Sequence, residues 1–495
     1  MRRAIAHRPW SWFYVVLLAC GSNPEGPTGD LSIVISPASP VVIVGGHSRL
    51  TASVRDGSGQ PVDEAVDWTT SSAQVIAVAR DGTITGLAPG QATVTARVGT
   101  ASASVTVTVP ELPQTGVARP GLESFDRIVT ALMLKWGIPG GSLALVKDGR
   151  LILSRGYGYA DLETAEPVAA DALFRIASVT KPVTAVAALR LHERGKLDLD
   201  AGAFSFRPDL LPPLGVNRNP QLDAISVRQL LWHVGGWDRA ASGDPMFRPL
   251  TTAAAVDAPA PASCETVMRF MLGQPLDFAP GTRYAYSNFG YCVLGRVIAQ
   301  AAGMPYEEYV RDSILAPLGI IRMRVGATRV SGRAAGEVRY YDRESTTSVF
   351  GDGAVPWPYG GFYLEAMDSH GGWIASAPDL LRFLTAVDGF STRPDFLQPG
   401  TIATMLTTAV TVWGTSPYYY AMGWLRRPAQ DNWWHDGSLP GTTSLLVRAG
   451  NGLAWAALFN ARNVKPNSRF AEELDPAIWQ AVGEVTSWPA IDLFN

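Results

Sequence analysis

Ser178 and Lys181 stand three residues apart in Phe174-Arg175-Ile176-Ala177-Ser178-Val179-Thr180-Lys181-Pro182-Val183, ahead of an apolar helical pattern. On a helix that spacing puts both side chains on one face. A serine hydroxyl beside an amine is a candidate activated nucleophile. Lysine is scarce in the chain (Lys135, Lys147, Lys181, Lys196 and Lys465), and one of the five falls in this spacing. Downstream, Pro280-Gly-Thr-Arg-Tyr-Ala-Tyr286-Ser287-Asn288-Phe-Gly-Tyr291 holds the chain's only Tyr-x-Asn. A tyrosine close to a cationic lysine could titrate low enough to serve as a general base. The Asn288 amide could hold a substrate amide and the lysine together. Further on, Trp433-Trp434-His435-Asp436-Gly437-Ser438 leads toward a strand. A small residue such as Gly437 beside a nucleophile lets a substrate backbone approach an edge strand. A backbone N–H there could form half of an oxyanion hole, with the Ser178 N–H as the other half. His-x-Gly occurs at His233, His370 and His435. Only His435 follows the tyrosine motif and directly precedes a strand. Structural roles are expected for the other two.

These residues need a scaffold, and the pattern around them predicts one. Leu122 to Trp136 has helical spacing. The strands Gly141–Val146 and Leu151–Ser154 flank a Lys147-Asp148-Gly149-Arg150 turn, where Asp-Gly marks a hairpin. The Ser178 helix should end at Gly195. Helices are predicted at Ser226–His233, Gly290–Gly303, Tyr306–Ile314 and Pro378–Val387. The strands Thr443–Val447 and Leu453–Phe459 and a helix near Ala471–Val485 close the chain. Strands at both ends with helices between give an α+β domain, one antiparallel sheet plus a helical insertion. Upstream, Leu31 to Val109 carries short alternating strands, as in Ala92-Thr-Val-Thr-Ala-Arg-Val98 and Ser104-Val-Thr-Val-Thr-Val109, which predict a β-sandwich. The chain is therefore multidomain: 31–109, a proline-containing linker at 110–121, and 122–495. The aromatic segment Val355–Tyr363 either borders the substrate cleft or packs as a loop.

Composition sets the compartment and excludes some partners. The chain has 495 residues, a net charge of -3, 47% hydrophobic and 17% charged residues. That is ordinary globular composition, with no basic footprint for nucleic acid. Arg2, Arg3 and Arg8 precede an apolar run from Trp10 to Ala19, too short to span a bilayer. Residues 1–20 read as a signal peptide, and 21–30 as a tether. Leu17-Leu18-Ala19-Cys20-Gly21 resembles the bacterial lipobox, which implies a lipid on Cys20; ordinary secretion is the alternative. Contact with a membrane is expected only through that lipid. Cys264 and Cys292 could pair in an exported protein or remain buried thiols.

The motifs together identify a family resemblance. From about Leu122 to Asn495 the chain resembles the serine β-lactamase-like and penicillin-binding superfamily, on the side of class C enzymes, D-alanyl-D-alanine carboxypeptidases and family VIII esterases. The resemblance rests on S-x-x-K, Tyr-x-Asn and His-x-Gly in that order, and on Phe174–Asp200, Leu230–Gly236, Pro280–Ile320 and Gly371–Phe383. It implies Ser178 as the acylated nucleophile, Lys181 as the group easing its deprotonation, and Tyr286 as proton shuttle. Asn288 would position substrate, and His435 and Gly437 would form the third motif, with the Ser438 amide in the oxyanion hole. No metal or cofactor is implied. Residues 31–109, with Asp81-Gly-Thr-Ile-Thr-Gly-Leu-Ala-Pro-Gly-Gln-Ala-Thr-Val-Thr-Ala96, resemble bacterial Ig-like domains of group 2, which implies a spacer or adhesion module near the cell wall.

His435 stands where β-lactamases of this fold usually carry lysine. A permanent cation suits a β-lactam carboxylate, whereas histidine is mostly neutral near pH 7. The expectation is an exported serine hydrolase of small-molecule esters or small amides. The alternatives are a D,D-carboxypeptidase or D-aminopeptidase on peptidoglycan peptides, a weak β-lactamase, and a non-turning-over sensor or adhesion protein.

Overall fold

The computed structural model describes residues 30–409 and 416–494. The expected signal peptide, Cys20 and nearly all of the tether lie outside the described residues. From residue 31 to 109 the chain builds three small antiparallel sheets. Ser32–Ser36 pairs with Thr51–Arg55, His47–Arg49 and Ile76–Val78 flank Thr83–Gly86, and Asp67–Thr70 and Ala101–Val109 flank Gly90–Val98. The alternation read at 92–98 buries Ala92, Val94, Ala96 and Val98, and the first three join Ile76, Ile84, Val107 and Val109 in one core.

The segment at 110–121 does more than connect. Gln114–Thr115 adds a short strand against Gly156–Tyr157. The cause is Arg155, which is buried and must satisfy five donors. It pairs with Asp126 at 3.0 Å and donates to the Gly116 carbonyl at 2.6 Å and Gln114 Oε1 at 2.8 Å. The following domain opens with the helix Glu123–Trp136, stopped by Gly137 in the left-handed conformation.

One nine-stranded antiparallel sheet organises that domain. Its order is Glu166–Pro167, Arg150–Asp161, Gly140–Lys147, Leu453–Phe459, Thr442–Arg448, Asn432–Leu439, Leu425–Arg427 and Tyr419–Tyr420, with Gln114–Thr115 beside Arg150–Asp161. The Asp148-Gly149 turn has φ of 51° and 75°, as a tight hairpin requires. Both faces of the sheet are covered, so its central strands read as continuous apolar runs. Leu143 and Leu145 pack under the helices Glu123–Trp136 and Phe470–Gly483. Ala144 and Val146 face the other layer with Leu380, Leu381 and Leu384.

That second layer is helical and centres on Thr180–Glu193, which is buried nearly all round and packs on Asn288–Ala302. Cys264 and Cys292 form a disulfide that ties the helix Cys264–Met271 to the latter. The helix starting at Tyr306 is α-helical only to Val310 and widens into a π-turn at Arg311–Leu315. In the aromatic segment, Trp357 packs toward Phe362, Leu364 and Met367, and the Pro358 carbonyl accepts from buried Arg175 at 2.7 Å. Those contacts make it a packed support for the chain entering Ser178.

Candidate active site

Ser178 lies in the seam between sheet and helices. It does not sit inside the α-helix. It occupies a 3-10 turn, Ala177–Val179, between the short strand Phe174–Arg175 and the helix beginning at Thr180. Ala177 has φ +46°, an uncommon and costly conformation for a residue with a side chain. The surroundings impose it: Ile176 N–H donates to the Trp373 carbonyl at 2.9 Å, and Ser444 Oγ donates to the Ile176 carbonyl at 2.7 Å. The turn runs directly into the helix, so Lys181 still reaches Ser178.

Lys181 is fully buried. Its Nζ stands 2.7 Å from the His370 carbonyl, 2.8 Å from Asn288 Oδ1 and 3.3 Å from Ser178 Oγ. Burial drives its pKa well below the usual lysine value, with the Asp244 carboxylate the strongest opposing influence. A neutral amine has two N–H donors and one lone pair. With the two carbonyl oxygens taking those donors, a deprotonated Lys181 would present its lone pair to the Ser178 hydroxyl.

Tyr286 faces the same point. Its ring centroid is 4.7 Å from Lys181 Nζ, and its buried hydroxyl has the Ser178 hydroxyl as the polar group lowering its pKa. Sequence reasoning expected a cationic lysine to depress this phenol. The structure corrects the expected low phenol: burial pushes the Tyr286 hydroxyl well up from the usual tyrosine value, and burial also pushes Lys181 well down from the usual lysine value.

Asn288 N-terminates its helix behind Ser287, whose hydroxyl accepts from Gly290 N–H. The Asn288 amide bridges Lys181 and Asp244, donating through Nδ2 to Asp244 Oδ2 at 2.7 Å.

His435 was expected just before a strand; it lies within one, Asn432–Leu439. On the strand Asn432–Leu439, Leu425–Arg427 covers Asn432–Trp434 alone, so the edge beyond Trp434 is not covered by it. Alternation turns His435 and Gly437 inward and Asp436 and Ser438 outward. Gly437 packs against the nucleophile turn: a Cβ there would lie 2.5 Å from the Ile176 carbonyl oxygen. The Asp436 carbonyl can only accept, so His435 Nδ1, 2.6 Å away, carries the proton. Nε2 then accepts from Tyr420 Oη at 3.1 Å. Burial lowers the His435 pKa to about 4. The ring is neutral, and both nitrogens are engaged within the protein, which leaves no donor of its own for a substrate anion.

The other two His-x-Gly histidines also belong to this neighbourhood. The His233 ring accepts from Ser287 N–H at 3.1 Å and stacks within 4.4 Å to 4.9 Å of Tyr286, Tyr420 and Tyr291. His370 contributes its carbonyl to Lys181. Asp244, Arg239 (4.8 Å over the Tyr286 ring) and Tyr420 escaped the sequence reading. Each is tied to its partner only through the fold.

A serine whose hydroxyl meets a buried lysine and a buried tyrosine, at the seam of an antiparallel sheet and a helical layer, defines a serine hydrolase of the acyl-transfer class. The chain belongs to the Beta-lactamase family, whose model matches residues 125–478; residues 31–109 match the Bacterial Ig-like domain (group 2). Esterase EstB of Burkholderia gladioli is 33% identical over 285 residues, which cover 53% of this chain and 68% of that protein. Protein flp of Staphylococcus aureus (strain N315) is 30% identical over 196 residues, 40% of this chain, and the match spans only 36% of flp. Among solved structures, the octameric penicillin-binding protein homologue from Pyrococcus abyssi aligns with a TM-score of 0.55 and 25% identity over 75% of this chain and 79% of that one.

Proposed function

We propose that the protein is an exported esterase that works through an acyl-enzyme on Ser178. The observation that carries the reading is the Lys181 environment: the buried amine lies against two carbonyl acceptors and 3.3 Å from Ser178 Oγ, so its deprotonated form has a lone pair free for the Ser178 proton. Ser178 Oγ attacks the ester carbonyl carbon, and its proton passes to Lys181. The tetrahedral oxyanion is held by the backbone N–H groups of Ser178 and Ser438, aided by the N-terminal end of the helix Thr180–Glu193. The ester C–O bond breaks, and the leaving oxygen takes the Tyr286 proton. The Lys181 ammonium then returns its proton to the phenolate. Water repeats the sequence on the acyl-enzyme and releases the acid.

The His435 state supports esters over β-lactams, because a neutral, fully engaged imidazole offers no cation to a β-lactam carboxylate. Likeness to EstB supports the same choice. Bacterial Ig-like domains belong to extracellular or surface proteins, which supports export and makes a peptidase on cell-wall peptides the second reading. The test is p-nitrophenyl butyrate hydrolysis beside Ser178→Ala. Steady turnover that falls at least about 10³-fold in the variant is the expected result. An inert wild-type protein favours the peptidase or a non-turning-over sensor. Turnover that survives the substitution means a different nucleophile.

A further inference from the structure

The Asn288 amide has two ends, and only one of them suits the chemistry proposed above. With Oδ1 toward Lys181, the amide accepts a lysine N–H. Turned over, it would offer N–H to the lysine lone pair, the same lone pair that must take the Ser178 proton. A deprotonated Lys181 and the amide alone do not forbid that flip, because both can donate and accept. The group on the far side of the amide decides. It is the Asp244 carboxylate, whose Oδ2 lies 2.7 Å from Asn288 Nδ2. An ionised carboxylate only accepts, so it demands the NH2 end and leaves the carbonyl end for Lys181. Asp244 is itself fixed: Oδ1 accepts from Met246 N–H at 3.0 Å and caps the turn Pro245–Phe247.

We propose that Asp244 is a positioning residue for acylation: it locks the Asn288 amide in the one orientation that leaves the Lys181 lone pair facing Ser178. The inference rests on the serine-hydrolase reading of the site. Asp244 also places a negative charge two links from the lysine. The other charged or titratable groups influencing Lys181 are Arg239 on the same loop, the phenols of Tyr286 and Tyr291, three imidazoles and Asp436. The imidazoles of His233, His370 and His435 are all held neutral by burial, so they do not change charge near neutral pH. Asp244 is therefore the main negative charge supporting the ammonium form of Lys181.

The test compares Asp244→Asn with the exchanged pair Asp244→Asn/Asn288→Asp in the full chain, using p-nitrophenyl butyrate across pH. In D244N the neighbour can offer either an oxygen or an NH2, so the amide is no longer sorted. The expected result is a kcat drop of about tenfold with KM within twofold. Its acid limb should move to lower pH, because loss of the carboxylate lowers the lysine pKa further. In the exchanged pair, the carboxylate now at position 288 can only accept from Lys181, and the amide now at position 244 donates to that carboxylate. The lone pair is again directed at Ser178. The carboxylate then touches the lysine directly, so the acid limb of the remaining activity should move to higher pH. A merely structural contact would not move the two limbs in opposite directions. Wild-type kcat and an unmoved limb in D244N overturn the inference, as does a kcat loss that tracks thermal stability at constant pH profile. A wild-type protein inactive on the ester instead overturns the function reading, and this inference with it.

Discussion

Gly437→Ala is the sharpest test of how strand and nucleophile fit together. The backbone at Gly437 is ordinary extended strand, so alanine carries no conformational penalty there. The penalty is steric. A Cβ would sit 2.2 Å from Ser444 Oγ, 2.5 Å from the Ile176 carbonyl oxygen and 3.1 Å from Ala177 Cβ. Ordinary contact needs about 3.4 Å or more, so strand and turn must part by about 1 Å. Ser444 Oγ could swing away, though it would then give up its bond to Ile176. The Ile176 carbonyl is backbone and cannot move without shifting Ala177 and Ser178. Overpacking of this kind costs about 1–3 kcal/mol of stability, a drop of a few degrees in Tm. The effect on catalysis should be larger in proportion, since a misplacement of about 1 Å at a reacting group costs about 10²-fold. The assay is kcat for p-nitrophenyl butyrate beside a thermal melt. A folded G437A protein with kcat within twofold of wild type would refute the close fit of the strand on the nucleophile turn.

Three further outcomes follow from the same geometry. His435 has a folded pKa of about 4, below its unfolded value, so its contribution to stability is present above pH 6.5 and lost as pH falls toward 4. The loss is on the order of 3 kcal/mol, read as the urea midpoint against pH, and His435→Asn should flatten that profile; an unchanged slope counts against the buried neutral imidazole. Arg155→Ala removes one partner of a buried pair and strands Asp126, which also accepts from Tyr157 Oη at 2.8 Å. That should cost about 3–5 kcal/mol and open 110–121 to limited proteolysis, whereas protease resistance at the wild-type level would show that Arg155 does not hold the segment. Nitrocefin should be turned over slowly or not at all, and rapid hydrolysis would reverse the ranking of esters above β-lactams.

What the sequence revealed and what it hid divide along one physical line. Alternation at 92–98, the Asp148-Gly149 turn and the S-x-x-K spacing are local signals, and each maps onto a local structure. The order of the three motifs led to the correct fold class because the family resemblance spans most of the second domain. The signals that failed were those set by burial or by distant partners. No local rule could reveal that Lys181 and Tyr286 would both be desolvated, which moves the phenol up where a low value was expected and the lysine down. Ser178 was read into a helix because a 3-10 turn running into an α-helix preserves the same spacing. Gln114–Thr115 is too short for any periodicity, and its strand exists because buried Arg155 needs acceptors.

The histidines make the same point from the other side. The rings of His233 and His370, expected to be structural, do not hydrogen-bond to Ser178, Lys181 or Tyr286. Yet the His370 carbonyl holds Lys181, and the His233 ring accepts from the residue before Asn288. Both act through backbone contacts that a residue type does not announce. The same holds for Asp244, which is 44 residues from its partner in sequence and 2.7 Å from it in space. A motif names the atoms that react. Their protonation state and orientation are set by the surrounding layer, where carbonyl oxygens and one acceptor-only carboxylate decide which way a lysine lone pair points.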